Sequence, residues 1–325
     1  MNFLQRRIVV SIVAFIVVLH LNFLLPRLLP GSAADIFASS FRLPQLAVQA
    51  ITVRLGLNQP MYVQYVLYLK GIFTNWPPYF GVSYQYYPTP VTDLIAYRLP
   101  WTLLLLVTSF FLAFFISYLL VGSTATKRGS RSEQLSVYTS IFFWSTPAFW
   151  IGLGLIWIFG VYVHWLPTYG NIDPGISSPV AIVESIGVHI ILPLVTLTAV
   201  VYGQNYVILR GAAQQILRSD YVIAARARGL RERLIGFRYI VRNSLLPLIA
   251  LLGYSVANLI SAIIFVEYVF AYQGIGDLLV DGILNRDYPV LEGSFFYITV
   301  IVIILAFVGD ALMFRIDPRL KQGDV

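Results

Sequence analysis

Long apolar runs alternate along the chain with short polar segments. A run of about 20 apolar residues is long enough to cross the hydrocarbon core of a bilayer as a helix. Six such runs stand out, at roughly residues 8–25, 99–121, 136–162, 186–209, 245–270 and 291–314. The pattern therefore predicts an all-α, polytopic membrane protein with six transmembrane helices. The first run follows Arg6 and Arg7 and ends in "PRLLPGSAAD"; it is long for a signal peptide and reads as a retained signal anchor. Between the first two runs, residues 26–98 mix the apolar "MYVQYVLYLKGIF" with the turn-rich "TNWPPYFGVSYQYYPTP", which predicts short helices and turns packed as a cap. The division expected is an N-terminal helix over 1–25, an outer segment over 26–98 and a five-helix core over 99–325.

Composition agrees, with only 11% of residues charged and a mean hydropathy of +0.77. The net charge of +7 does not point to nucleic acid, because most basic residues sit in short segments between apolar runs, where they set orientation. Arg6 and Arg7, then Lys127, Arg128 and Arg131, then an arginine cluster, then Arg315, Arg319 and Lys321 fall on one side. The loop 163–185 carries no Lys or Arg, and 271–290 carries Arg286 against Asp277, Asp281 and Asp287. The positive-inside rule thus places both termini in the cytoplasm. The outer segment carries Arg27, Arg42, Arg54, Lys70 and Arg98, but long loops translocate largely regardless of charge.

With no cysteine, thiolate chemistry and disulfides are excluded, and His20, His164 and His189 lack metal-ligand spacing. No G-x-x-x-x-G-K-[ST] loop is present to cradle a nucleotide; "GSTATKRGS" lacks the second glycine before Lys127. No catalytic Ser, His and Asp set stands in a credible context.

The stretch "SDYVIAARARGLRERLIGFRYIVRNSLLP", residues 219–247, holds six arginines in a chain poor in charge. Ser219 is an expected N-cap, with Asp220 at the positive end of the helix dipole. Val222, Ala225 and Gly229 share one small apolar face at helical spacing, and Arg226 and Arg233 another. Gly229 and Gly236 allow a bend, so two short helices lying on the membrane surface are expected. The small face would let another backbone approach closely. From composition alone, a basic helix resting on anionic lipid fits equally.

"AARARGL" followed by "RNSLLP", with Pro247 placed 18 positions beyond Gly229, resembles the cytoplasmic loop signature of permease subunits in ATP-binding-cassette importers. "RLLPGSAAD", "LGLNQPMYVQYVLYL", "LIAYRLPWTLLL", "GIGDLLVDGILNRDYPVLEG" and "DPRL", in this order, extend the resemblance over nearly the whole chain, to the dipeptide and oligopeptide permease B class. The resemblance implies a type I importer permease fold with a large extracytoplasmic segment between the first two helices. It makes residues 210–244 the loop that couples the permease to its ATPase. Ala224, Ala225 and Gly229 match the signature; Ile223 stands where many importers have glutamate, and Arg242 at the usual first proline. Asp220, Arg226, Arg228, Arg231 and Arg233 complete the expected coupling surface, the arginines meeting acidic residues on the ATPase or snorkelling to headgroups. Implied partners are a second homologous permease, two ATPase subunits, an extracytoplasmic substrate-binding protein and the bilayer. No cofactor is expected on this chain; ATP and magnesium belong to the partner subunits.

Polar residues inside membrane helices are costly and mark either a pathway or helix–helix hydrogen bonds. Gln204, Asn205, Asn258, Ser261 and, near the inner end of the last helix, Asp310 are such residues. Glu267, in "FVEYVF", is expected to close a gate or hold the following loop. His189, Trp101 and Trp165 read as interfacial anchors. Family analogy offers di- and oligopeptides as cargo, with nickel chelates and oligosaccharides also carried in this class. A self-sufficient secondary transporter or channel would need ionisable residues at mid-membrane, and a membrane-embedded enzyme a catalytic cluster; neither pattern is evident.

Overall fold

The computed structural model describes residues 3–28, 49–50, 52–53, 56 and 58–316. Most of the stretch between Leu28 and Met61, including Arg42 and Arg54, and the terminal "DPRL" with Arg319 and Lys321 lie outside the described residues. The described elements are helical: α1 (Phe3–Leu28), α2 (Met61–Thr74), α3 (Val91–Thr124), α4 (Arg131–Ser145) and α5 (Ala148–Leu155), which continues as a π-helical stretch (Ile156–Tyr162). There follow α6 (Pro179–His189), α7 (Ile191–Ile216), α8 (Asp220–Ala227) and α9 (Glu232–Leu234), continued by a second π-helical stretch (Ile235–Val241). The last four are α10 (Arg242–Ala250), α11 (Leu252–Val269), α12 (Ile275–Asn285) and α13 (Tyr288–Ile316).

Four stretches are each long and apolar enough to cross a membrane: Gln5–Leu28, Val91–Thr124, Pro179–Ile216 and Tyr288–Ile316. Two bent pairs bring the number to six if each is one span. The expected run 136–162 is broken, its halves Arg131–Ser145 and Ala148–Tyr162 diverging by 105°. Pro147 is the cause: it has no N–H to give and forces Thr146 out of helical geometry, to φ −93° and ψ 128°. The run beginning at Glu232 bends likewise at Leu251 before continuing to Val269. Helix α4 also begins five residues before the expected Ser136, because Ser130 caps it and Glu133 reaches back to the residue before the cap. The Ser130 hydroxyl accepts from Glu133 N at 3.3 Å, and the Glu133 carboxylate accepts from Gly129 N at 2.6 Å.

The chain divides into two compact units. One comprises Leu103–Tyr272 with short pieces from the two ends of the chain. Helix α7 is its centre: α4, α5, α6, α10 and α11 all pack on it, and its buried residues, from Leu192 to Ala213, lie on every side. Gly203 is what lets α4 come close. A Cβ there would lie 2.5 Å from Ser140 O and 2.7 Å from Trp144 N, so the two backbones meet where only hydrogen fits.

The other unit comprises Val10–Thr102 and Gln273–Ile301. Its core joins Leu19, Phe23, Tyr68, Phe80, Ile95, Ile275, Leu278 and Phe296. Helix α2 forms over the apolar stretch read as a short outer helix, and Val82 and Pro90 make one antiparallel bridge beyond it. The loop carboxylates used above only as a charge count are anchors. Asp287, fully buried, accepts from the Ser83 hydroxyl at 2.5 Å, Tyr84 N at 2.8 Å, Gln85 N at 3.0 Å and Val290 N at 3.3 Å. Asp277 pairs with Arg98 at 2.5 Å, and Asp281 accepts from the Tyr86 hydroxyl at 3.0 Å. Burial raises Asp277 above the usual carboxylate range by more than Arg98 lowers it. Tyr86 is pushed up to about 12, first by burial and then by its bond to Asp281. Arg27 is ion-paired with Glu292 and lies over the Phe23 ring, 3.6 Å from its centroid.

Candidate functional site

Two groups of the residues singled out above come together, both in the unit built around α7. The first is the arginine-rich loop. Ser219 takes the N-cap position of α8, but its hydroxyl donates back to Ile216 O at 2.6 Å and leaves the helix amides uncapped. Asp220 in the first turn meets the helix dipole. The helix stops at Ala227, and Gly229 lies beyond it at φ +73°. Gly229 N donates to Arg226 O at 2.8 Å and Leu230 N to Ala225 O at 3.3 Å, the paired closing bonds of a Schellman motif.

This stop corrects three expectations. Val222 and Ala225 are buried against the chain's own 235–241 stretch rather than offered to another backbone, and Gly229 is not on their face. Arg226 and Arg233 belong to separate elements, and Arg226 is held within the loop by Glu232, at 3.0 Å and 3.4 Å. Gly236 sits inside a continuing helical path rather than at a bend; its missing side chain lets that path approach the carbonyl of Gly122. The exposed surface of the loop includes Ala224, Arg228, Gly229, Arg231 and Arg233, with Ile223 beside them and the Arg226–Glu232 pair also exposed.

Where this loop meets the helices, Arg210 of α7 holds Glu133 of α4 through two bonds of 3.0 Å and 2.8 Å to one carboxylate oxygen. The Gln214 amide oxygen accepts from the same guanidinium at 2.9 Å and 3.2 Å. The sequence reading missed this pair; the S-x-x-E spacing of Ser130 and Glu133 marks a helix start but does not point to Arg210 as a partner.

The second group surrounds a cavity of about 390 Å³ at the break between α4 and α5. Gln204, Asn258 and Ser261 line it, together with Trp144, Thr146 and Phe265, which were not anticipated. The proline inside the aromatic "WSTPAFW" was the available clue. Gln204 donates to the Ser255 hydroxyl at 3.3 Å; Asn258, Ser261 and Phe265 recur on one exposed face of α11. Asn205 does not line this cavity. It is buried, and its amide has no hydrogen-bond partner among the described residues. Glu267 is fully buried at the end of α11, where its carbonyl accepts from Tyr272 N at 2.7 Å. Burial, and next the Glu267 carboxylate, raises the Tyr272 phenol. Asp310 pairs with Arg7 at 3.4 Å.

Trp165 is exposed, but His189 is not an interfacial anchor: it is buried beside Ser185 and Asp173. The cluster has the residue types of a hydrolase triad without its geometry. His189 Nδ1 lies 2.8 Å from the Ser185 carbonyl, which can only accept, so that nitrogen carries a proton and cannot take one from the Ser185 hydroxyl. The hydroxyl donates instead to Asp173 at 2.8 Å.

Residues 118–322 match the family described as the binding-protein-dependent transport system inner membrane component, and residues 1–106 match its N-terminal counterpart. The oligopeptide transport system permease protein AppB of Bacillus subtilis is 31% identical over 98% of this chain and 99% of its own length. The di/tripeptide transport system permease protein DppB of Pseudomonas aeruginosa is 30% identical, and the glutathione transport system permease protein GsiC of Salmonella typhimurium 31%, each over 99% of both chains. A helical chain of four to six membrane spans, collinear from end to end with permeases of peptide transport systems, belongs to the family of binding-protein-dependent transport system inner membrane components.

Proposed function

We propose that this chain is one of two homologous permease subunits of an ATP-driven importer, with the surface around α8 as the docking site for its ATPase subunits. The observation that carries this reading is the set of side chains left uncommitted there. Ala224, Arg228, Arg231 and Arg233 are exposed, and none of the three arginines has an ion pair among the described residues. Asp220, Ala225, Arg226 and Gly229 shape the loop that presents them. Both ends of the chain and this loop lie in the cytoplasm, a placement that the Lys and Arg of the short segments support. The outer segment faces the substrate-binding protein.

ATP and magnesium bind the partner subunits. Closure of the two ATPases moves the loops of the permease pair together and opens the pathway outward, and hydrolysis returns it to the inward-facing state. The cavity lined by Gln204, Asn258 and Ser261 is part of that pathway, its α11 face turned to the second permease. Asn205 and Glu267 support it from behind, Glu267 by holding the turn to Tyr272. Cargo is a short peptide: amide and hydroxyl groups among aromatic rings match peptide bonds and side chains, and the relatives' names specify oligopeptides, di- and tripeptides and glutathione. The same lining suits oligosaccharides, so the assay offers both.

The test is uptake by the complete complex in proteoliposomes, with labelled tripeptide and labelled oligosaccharide. ATP-dependent tripeptide uptake is expected, reduced at least tenfold by Arg228→Glu with Arg233→Glu while the permease pair still assembles. Uptake by this chain alone without ATP refutes the reading in favour of a gradient-driven carrier.

A further inference from the structure

A second depression, of about 250 Å³, lies between the α3–α4 turn and the junction of α7 with α8. It is distinct from the cavity at the α4–α5 break. Its walls include Thr126, Arg128, Gln214, Arg218 and Arg226, and no acidic residue. Asp220, two positions beyond Arg218, does not line it, and two other carboxylates near the loop are engaged elsewhere. Glu133 is held by Arg210 and by Gly129 N, and Glu232 by Arg226. Arg128 and Arg218 have no ion pair among the described residues, and Arg226 meets Glu232 through its Nε and Nη2 atoms only. Two arginines without an ion pair among the described residues, and a third only partly engaged, therefore line one concave site together with Thr126.

Like charges gathered without a counterion repel one another, and the arrangement is relieved by an anion that accepts several N–H bonds at once. A phosphate group fits this demand. Its oxygens take the paired donors of a guanidinium, and the space holds on the order of eight water volumes. Helix α3, which runs directly into this turn, exposes Leu112, Phe115 and Leu119 at helical spacing, a surface suited to acyl chains. We propose that the depression binds the phosphate of an anionic phospholipid headgroup, so that a lipid sits beside the root of the arginine-rich loop. Basic pockets between membrane helices take headgroups in this way. The site does not depend on the docking role assigned to α8.

The intact complex, delipidated and placed in nanodiscs of phosphatidylcholine with or without phosphatidylglycerol, tests the idea. Lipid retention is read by native mass spectrometry. Wild type and a Lys127→Gln control, which removes a neighbouring charge outside the depression, are expected to retain phosphatidylglycerol equally. Arg128→Gln with Arg218→Gln should retain it at least tenfold less, with an unchanged melting temperature. Inorganic phosphate at millimolar concentration, added to phosphatidylcholine nanodiscs, separates the two sources of the same chemistry. If phosphate raises the melting temperature of wild type but not of the double variant, and phosphatidylglycerol is not retained, the lipid assignment is overturned. Equal retention by wild type and the double variant, as expected if an acidic segment of a partner subunit fills the depression, overturns the site itself.

Discussion

Gly229 offers a direct test of how the arginine-rich loop works, because two explanations of this glycine predict different outcomes. One is empty space for a docking partner; the other is the left-handed turn that ends α8. Among the described residues, its two chain neighbours apart, no atom lies within 4 Å of a Cβ added there, so packing sets no steric limit. The backbone does, since φ is +73°. Alanine in that conformation costs about 1–2 kcal/mol, and its lower freedom in the opened loop returns roughly 0.4–1 kcal/mol. The net is about 1 kcal/mol, or about a fivefold rise in the population with an open turn. Hydrogen exchange over residues 220–234 reads this directly, because the amides of residues 229 and 230 make the two closing bonds. Gly229→Ala should exchange there about five times faster and lose coupled uptake in proportion. Gly229→Asn, whose side chain tolerates the left-handed region, should stay close to wild type in both. Wild-type exchange in Gly229→Ala would refute the backbone argument. Lost uptake in Gly229→Asn with normal exchange would show that empty space is what docking needs.

Three further outcomes follow from the packing. Arg210→Met should cost about 2 kcal/mol, a loss moderated by the partial exposure of Arg210, and Arg210→Met with Glu133→Leu should recover at least half of it; additive losses in melting temperature would show that the pair is not coupled. Gly203→Val should cost about 1–3 kcal/mol, because the added carbons meet the backbone of Ser140 and Trp144 and α4 must move off α7; an unchanged melting temperature would mean the helices do not pack this closely. Asp277→Asn tests whether burial or pairing governs that carboxyl. A carboxyl raised by folding contributes stability that is fully present below its unfolded value of about 3.9 and is lost as pH rises through the higher folded value. The melting temperature of Asp277→Asn relative to wild type should therefore rise with pH across that window, and a relative fall would indicate dominance by Arg98.

The loop carboxylates show where sequence reasoning stops. Asp277, Asp281 and Asp287 enter the sequence reading as three negative charges that help orient a loop. In the fold, each holds a residue that precedes it by well over a hundred positions: Arg98, Tyr86 and the Ser83–Gln85 turn. The same holds for α8. Periodicity finds its small face, but which face turns inward depends on the 235–241 stretch it packs against. The sequence reading runs one span straight through Pro147, although a proline acts on its immediate neighbours and so marks a break, whereas the cavity it opens needed α7 and α11 to supply the other walls.

By itself, the sequence determined that this chain lives in a membrane, approximately where its helices run, and that one loop concentrates arginine. Those properties are sums over neighbouring residues, and a hydrophobic run or a charge cluster is complete without its surroundings. Only the tertiary structure decided which arginines are spent on Glu133 and Glu232 and which remain available. It also decided which polar residues of α7 and α11 share a cavity and which carboxylates hold distant turns. A charge or a buried amide acts on whatever stands within a few ångströms of it, and folding, rather than sequence distance, brings those neighbours together.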